Sequence, residues 1–417
     1  VSTFAMPVSA LRYEPLVDVQ GRNMAEGQAD VSIRGSTFEN TGFRIGVVTI
    51  LDPQTGHYFA EIPVPPTMLG APEILTGASN ALGSLNVNVG TIAYAWQPIV
   101  TRGQLSLGIG DDNLNRQEIY QGYASELNGG AGLGVDVEYS RSSGDGSIPQ
   151  GDHDFERVGG RAQWRTDRAQ TDLFIGYQAK FFGWPNLYTP YGVDETENLQ
   201  TVLVSLNHRA EREAGGYLEA GAYYRRNKDD YEFNRHIPGQ YNPYQHTTWL
   251  RGAAIAGREV RGGWAVIYRG EAASDEIEST SLKSGSYNTR QILKLALAGE
   301  RRWATSDGGA WLALGGVTLD DTNRDSGAVS PVLELSRRFA TGRATQSVAL
   351  AYVEATQVPS YTAINSSATG GLFRGNATLG RETSRNVELG LTGNYGGWQT
   401  EAAIFYRQDD DLVDWTF

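Results

Sequence analysis

The chain reads as mainly β: an antiparallel transmembrane β-barrel preceded by a small N-terminal α+β unit. Three observations predict this. From about residue 103 to residue 409 the sequence repeats one phrase, a strand, a short turn, another strand, then a long polar loop. The strands alternate in character residue by residue and often reach about ten residues, the length that a tilted strand needs to cross a bilayer. Long and short connections also alternate, which gives the two ends of the sheet different characters.

Residues 1–100 form the α+β unit. They hold eight of the fifteen prolines, and their period-two stretches are brief: Val31 and Ile33 share a face before Gly35 ends the run. VSIRG, RIGVVTIL, PEILTGA and NVGTIAYAW read as short elements joined by turns. Residues 101–417 form the barrel. About fifteen strands are expected there, near 103–110, 116–124, 131–141, 155–165, 170–182, 198–208, 214–226, 246–258 and 262–272, then 289–302, 308–320, 330–340, 345–356, 382–395 and 397–409.

Connections after even-numbered strands are short. Those after odd-numbered strands are mostly long: 142–154, 183–197, 227–245, 273–288 and 357–381. This parity places the long loops outside the cell and the turns in the periplasm. Within the strands, Leu133, Val135, Val137 and Tyr139 oppose Gly134, Asp136, Glu138 and Ser140. Leu173, Ile175 and Tyr177 likewise oppose Asp172, Gln178 and Lys180. A soluble sandwich would show the same alternation, so strand length and loop parity carry the distinction.

Composition agrees. No apolar run approaches 18 residues, so no helical span is expected, whereas barrel strands dilute their apolar residues with polar lumen-facing ones. The net charge of −13 argues against nucleic acid as a partner. Zero cysteine excludes disulfides and thiolate metal sites. Twenty-one Tyr and nine Trp supply rings for interfacial girdles in contact with outer-membrane lipid.

The search for chemistry is short. No G-x-S-x-G, H-E-x-x-H or P-loop is present, and no G-x-G-x-x-G stands in strand-turn-helix context. His236 and His246 lie apart with no third ligand at a usual spacing, and the acidic stretches 151–154 and 409–411 read as solvated. No metal site, cofactor or catalytic residue is expected. The aromatic loop at 181–191, with Trp184, Tyr188 and Tyr191, is either a ligand-gathering surface or an interfacial girdle. Tyr241 and Tyr244 join the same candidate set on the next long loop.

Several pieces, in order, resemble the plug domain of TonB-dependent outer-membrane receptors. Asp30-Val31-Ser32-Ile33-Arg34-Gly35 resembles the plug strand ending in Ile-Arg-Gly, and Gly46-Val47-Val48-Thr49-Ile50 sits where the next short strand stands. Ala71-Pro72-Glu73-Ile74-Leu75-Thr76-Gly77-Ala78 resembles "RIEVLRGP", and Ser79-Asn80-Ala81-Leu82-Gly83-Ser84 is similar to the "S-x-L-Y-G-S" turn. Asn88-Val89-Gly90-Thr91-Ile92-Ala93-Tyr94 resembles "GGVINI". In the barrel, Glu382-Thr383-Ser384-Arg385-Asn386-Val387-Glu388-Leu389-Gly390 resembles "E-x-S-x-N-x-E-x-G".

The departures are Ala71 and Pro72 in place of the family's Arg and Ile, and Thr76-Gly77-Ala78 in place of Arg-Gly-Pro. No segment near Val1 resembles the TonB box. The resemblance implies a monomeric receptor of the bacterial outer membrane. It would take up a scarce small-molecule ligand, such as a siderophore or cobalamin, energised by the TonB–ExbB–ExbD system. A passive porin or a barrel enzyme with an N-terminal extension is the alternative.

Within the plug, Arg34 is expected to be a buried cation that pairs with plug or wall carboxylates, as a structural ion pair or as part of the plug's hold and release. Glu73 is its expected companion. The family's barrel has 22 strands, so about fifteen here imply an incomplete barrel, with an open, curled sheet and two free edges, although 413–417 mimics the aromatic close of such barrels.

Overall fold

The computed structural model describes residues 3–23, 27–127, 129–241, 243–341, 344–370 and 374–414. In the N-terminal region β1 (Val17–Arg22) pairs antiparallel with β2 (Gln28–Ile33). Arg34 (φ 54°) and Gly35 (φ 70°) then turn the chain through the left-handed region, which a glycine at the second position makes easy. A mixed sheet follows, from β3 (Thr41–Ile45), β4 (Val48–Ile50), β5 (Glu73–Thr76) and β6 (Gly90–Tyr94), in the order β4-β3-β6-β5 with β3 and β6 parallel. The stretch read as a turn after β5 begins as a short helix, α1 (Gly77–Gly83). Ala78, Ala81 and Leu82 bury that helix against Val332 and Val353 of the large sheet, a tertiary contact that local sequence does not reveal.

The large sheet has fifteen strands, all antiparallel to their neighbours and paired in chain order. They are β7 (Arg102–Ile109), β8 (Asn115–Glu126), β9 (Gly132–Gly144), β10 (His153–Arg165), β11 (Ala169–Pro185), β12 (Asp194–Glu211), β13 (Tyr217–Glu232), β14 (Tyr244–Arg261), β15 (Trp264–Ser279), β16 (Thr289–Ala304), β17 (Ala310–Thr322), β18 (Asp325–Thr341), β19 (Ala344–Gln357), β20 (Glu382–Tyr395) and β21 (Trp398–Asp410). Helix α2 (Tyr361–Asn365) lies in the loop between β19 and β20. Among the described residues β7 and β21 do not pair, so the sheet is open. Residues 415–417, part of the aromatic close, lie outside the described residues.

Fifteen strands stand where fifteen were expected, but several run further. β11 to β15 have 16 to 18 residues each, which shortens the long loops to 186–193, 233–243 and 280–288. Ladder hydrogen bonds carry Trp184 and Pro185 into β11, against Glu195 and Asp194 of β12, although their aromatic and proline character reads locally as loop.

The two faces decide the environment. Leu133, Val135 and Val137 are 48%, 54% and 57% exposed, whereas Asp136 and Glu138 between them are buried. Leu173 and Ile175 are exposed and Asp172 is buried in the same way. A water-soluble sandwich buries its apolar rows; here they point outward and the charges point inward, as hydrocarbon around the sheet requires. The main hydrophobic core lies inside the curl, where Ile33, Phe43, Ile50 and Ile62 of the N-terminal region join Phe155, Phe174, Leu203 and Leu250 of the wall.

Candidate functional site

The N-terminal region is held in the lumen by charges and backbone contacts. Lys180 Nζ donates to Glu61 Oε1 at 2.6 Å, both fully buried, and Gln178 Nε2 donates to Glu61 Oε2 at 2.9 Å. Glu271 accepts from Thr49 N at 2.6 Å and from Thr49 Oγ1 at 3.0 Å. The buried Arg225 donates to three backbone carbonyls, those of Leu51, Tyr58 and Glu61. Arg161 bridges wall carboxylates Asp136 and Asp172 and also donates to the Gln97 carbonyl at 2.8 Å. Each contact places an N-terminal segment against a different strand of the wall.

At the long-loop end, segment 51–61 meets the ends of β12 and β13 and the loop 186–193. Glu197 is fully buried and accepts from Tyr58 Oη (3.0 Å) and Tyr188 Oη (2.6 Å). Gln54 Nε2 donates to Asp229 Oδ2 at 2.6 Å. Burial, reinforced by Asp229 and Glu197, pushes the Tyr58 phenol well above its usual value. Burial and then Glu197 do the same to Tyr188, so both phenols stay neutral donors. Beside them Asp30 accepts from Arg22 and pairs with His57 Nδ1, each at 2.7 Å. Burial alone would raise the Asp30 carboxyl, but His57 and Arg22 outweigh it and hold it below its usual value.

The aromatic candidates divide into two groups here. Tyr188 touches His57 and Tyr231 at 5.5 Å between ring centres, and Tyr231 touches Tyr244 at 5.8 Å. The exposed Tyr191 and Tyr241 flank Phe233 at 6.2 and 4.8 Å. Trp184 is half-buried against the core rather than presented to solvent. Angled rings carrying phenol hydroxyls make a surface able to grip a ligand with flat apolar faces and hydrogen-bonding edges.

Among the described residues no group of three or more His, Asp or Glu side chains is placed to hold an ion. His236 is exposed and pairs with Asp194, while His246 is buried in β14.

Residues 95–417 match the family described as TonB dependent receptor-like, beta-barrel. The chain belongs to that family. It is therefore a receptor of the bacterial outer membrane, in a family of transporters rather than enzymes. Solved structures share its fold. The ferric enterobactin receptor (PfeA) mutant R480A_Q482A from Pseudomonas aeruginosa is 17% identical with a TM-score of 0.70, over 97% of this chain and 69% of that one. The FrpB iron transporter from Neisseria meningitidis is 13% identical with a TM-score of 0.74, over 99% of this chain and 70% of that one. The copper transporter OprC is 13% identical with a TM-score of 0.72, over 98% of this chain and 69% of that one. Among curated proteins nothing matches.

In this receptor the long loops face outward and the short turns face the periplasm. Arg34 sits in the lumen with a side chain only 9% exposed, bidentate to Glu388 of β20 at 2.5 and 3.0 Å, and over the Phe405 ring at 5.1 Å. Glu73 does not share this network. It is exposed at the start of β5, an edge strand, while Leu75, two residues on along the same face, is buried in the core.

The outer loop between β19 and β20 reaches back over the mouth through α2. Tyr361 N donates to the Pro53 carbonyl at 2.8 Å, and Thr362 N and Oγ1 both donate to the Gln54 carbonyl at 2.7 Å. Tyr361 Oη donates to Asp275 Oδ1 at 2.7 Å, and Arg290 binds both Asp275 and the Pro359 carbonyl. Tyr58, His57, Asp30, Glu197, Asp229 and Tyr231 are site residues that sequence reading missed. The available signal was parity: Asp229 and Tyr231 continue the lumen-facing row of Tyr223 and Arg225 beyond the expected strand end.

Proposed function

We propose that this receptor performs TonB-dependent active uptake of a scarce small molecule, of the siderophore or cobalamin kind, working as a monomer. The ligand is gathered by Tyr191, Phe233 and Tyr241 at the outer surface and received by Tyr188 and Tyr244 beneath them. Pulling from the periplasm by the TonB–ExbB–ExbD system then shifts the N-terminal region and opens a path along the polar wall. The supporting observation is the lodging itself. A lumen filled by residues 3–23 and 27–100 and tied across by Arg34–Glu388, Lys180–Glu61 and Thr49–Glu271 is poorly suited to passive diffusion, while these ion pairs and hydrogen bonds, beside the shared apolar core, can re-pair with water when pulled apart. The names of the related structures, which mention ferric enterobactin, iron and copper, favour an iron- or metal-bearing ligand.

Uptake measured in cells with and without a working TonB system tests the reading. Loss of uptake without TonB is expected; undiminished uptake overturns active transport. Thermal-shift screening of ferric siderophores, cobalamin and glycans against the chain, and against a Tyr191→Ala/Tyr241→Ala variant, identifies the ligand class. A stabilising ligand whose effect survives that double substitution removes the proposed aromatic surface.

A further inference from the structure

On the lipid-facing side of β14–β18, near the periplasmic turns, cross-strand register builds a patch that uptake does not use. Residues directly opposite in neighbouring strands share a face. One row runs Arg261, Trp264, Arg301, Ala313, Leu335. The next row toward the outer surface runs Glu259, Val266, Gly299, Gly315, Leu333, and the one beyond it places Leu297 against Val317. On the periplasmic side of Arg301, Trp303 stacks on Trp311, which Arg337 covers.

Two features of this grid stand out physically. Arg301 lies one pleat inside Trp303, within the aromatic belt that marks the edge of the hydrocarbon, where a charge needs a counter-charge. The guanidinium of Arg301 covers the Trp264 ring at 4.9 Å, and Arg261 stands exposed directly opposite Trp264 on the neighbouring strand. Among the described residues neither arginine is in an ion pair. The nearby acids are engaged elsewhere, Glu259 with Arg212 and Asp307 with Arg337.

The second feature is the paired glycines. A Cβ on Gly299 would meet nothing within 4 Å, and one on Gly315 would meet only Leu333 at 3.8 Å. Between Val266 and Leu333 they leave a shallow groove, open outward, that begins immediately above the two arginines.

We propose that this patch holds one anionic diacyl phospholipid of the periplasmic leaflet. Its phosphate sits between Arg261 and Arg301 beside Trp264, and one acyl chain lies in the groove over Gly299 and Gly315. Charge complementarity selects an anionic headgroup over a zwitterionic one, whose own ammonium competes for the phosphate.

Native mass spectrometry of the full chain, released from detergent with added phosphatidylglycerol or phosphatidylcholine, reads the site directly. The wild type should retain phosphatidylglycerol more tightly, by roughly fivefold per arginine and about thirtyfold for the pair. Arg261→Gln/Arg301→Gln should reduce retention to the phosphatidylcholine level, while Arg324→Gln, on the outer side, should leave it unchanged. Gly299→Leu keeps both guanidinium groups and only fills the groove, so it tests the site even if the double variant folds poorly; it should weaken retention of phosphatidylglycerol. Equal retention of the two lipids by the wild type, selectivity that survives the double variant, or full retention by Gly299→Leu would each overturn the proposal.

Discussion

Replacing Arg34 by alanine removes both bonds of a bidentate pair and leaves Glu388, only 16% exposed, as a carboxylate without its cation. Breaking a buried pair from one side costs about 3–5 kcal/mol, and the slight exposure of Glu388 argues for the lower end. Loss of the guanidinium from the Phe405 face adds about 0.5–1 kcal/mol. The penalty falls on β2 and β3, so it should appear as faster hydrogen exchange of residues 28–45. A local loss of about 3 kcal/mol corresponds to roughly a hundredfold faster exchange. Glu388→Gln in the Arg34→Ala background removes the stranded charge and should restore much of the protection, a coupling that a double-mutant cycle measures. An exchange change below about threefold, or strictly additive effects in the cycle, would refute the reasoning.

Other expectations follow from the mouth and its surroundings. Glu197→Ala strands the Tyr58 and Tyr188 hydroxyls, at about 1–3 kcal/mol each, and should lower the melting temperature while weakening ligand binding; an unchanged melting curve contradicts the geometry. Asp30 has a depressed pKa, so its contribution is fully present above the unfolded carboxyl value near 4 and fades as pH falls through the lower folded value. Exchange of the β1–β2 hairpin should therefore stay slow down to about pH 4 and quicken below it, and Arg22→Gln, which brings the folded value closer to the unfolded one, should shrink this pH-dependent change without moving its onset. Tyr361→Phe removes the bond to Asp275, worth about 1 kcal/mol, and should speed exchange across residues 358–366; no change there means that α2 is not held by this latch.

Much of the architecture was legible because period-two alternation and loop parity are local or regular signals. The rows around Asp136 and Asp172 could be read directly. The ends of β11 to β14 could not, since Trp184-Pro185 and the stretch from Asn227 to Glu232 look like loop until their ladder partners are known. The pairing of Arg34 shows the same boundary between local and distant information. Arg34 stood out by its position in a recognisable strand, but its partner Glu388 lies 354 residues away, and Glu73 was nearer in sequence while facing solvent. The carboxylate–tyrosine cluster joins segments from β2, the 51–61 loop, β12 and β13, and no single window of sequence contains it.

Arg225 binds segment 51–61 through three main-chain oxygens, which every amino acid possesses. That hold is therefore indifferent to which side chains the segment carries, whereas the bonds of Gln54, Tyr58 and Glu61 are not. A lineage facing a new nutrient could redraw what the apex recognises at the segment's other positions one substitution at a time, provided that the guanidinium and those three side chains stay and the backbone keeps its path. Anchorage and specificity would then be inherited separately.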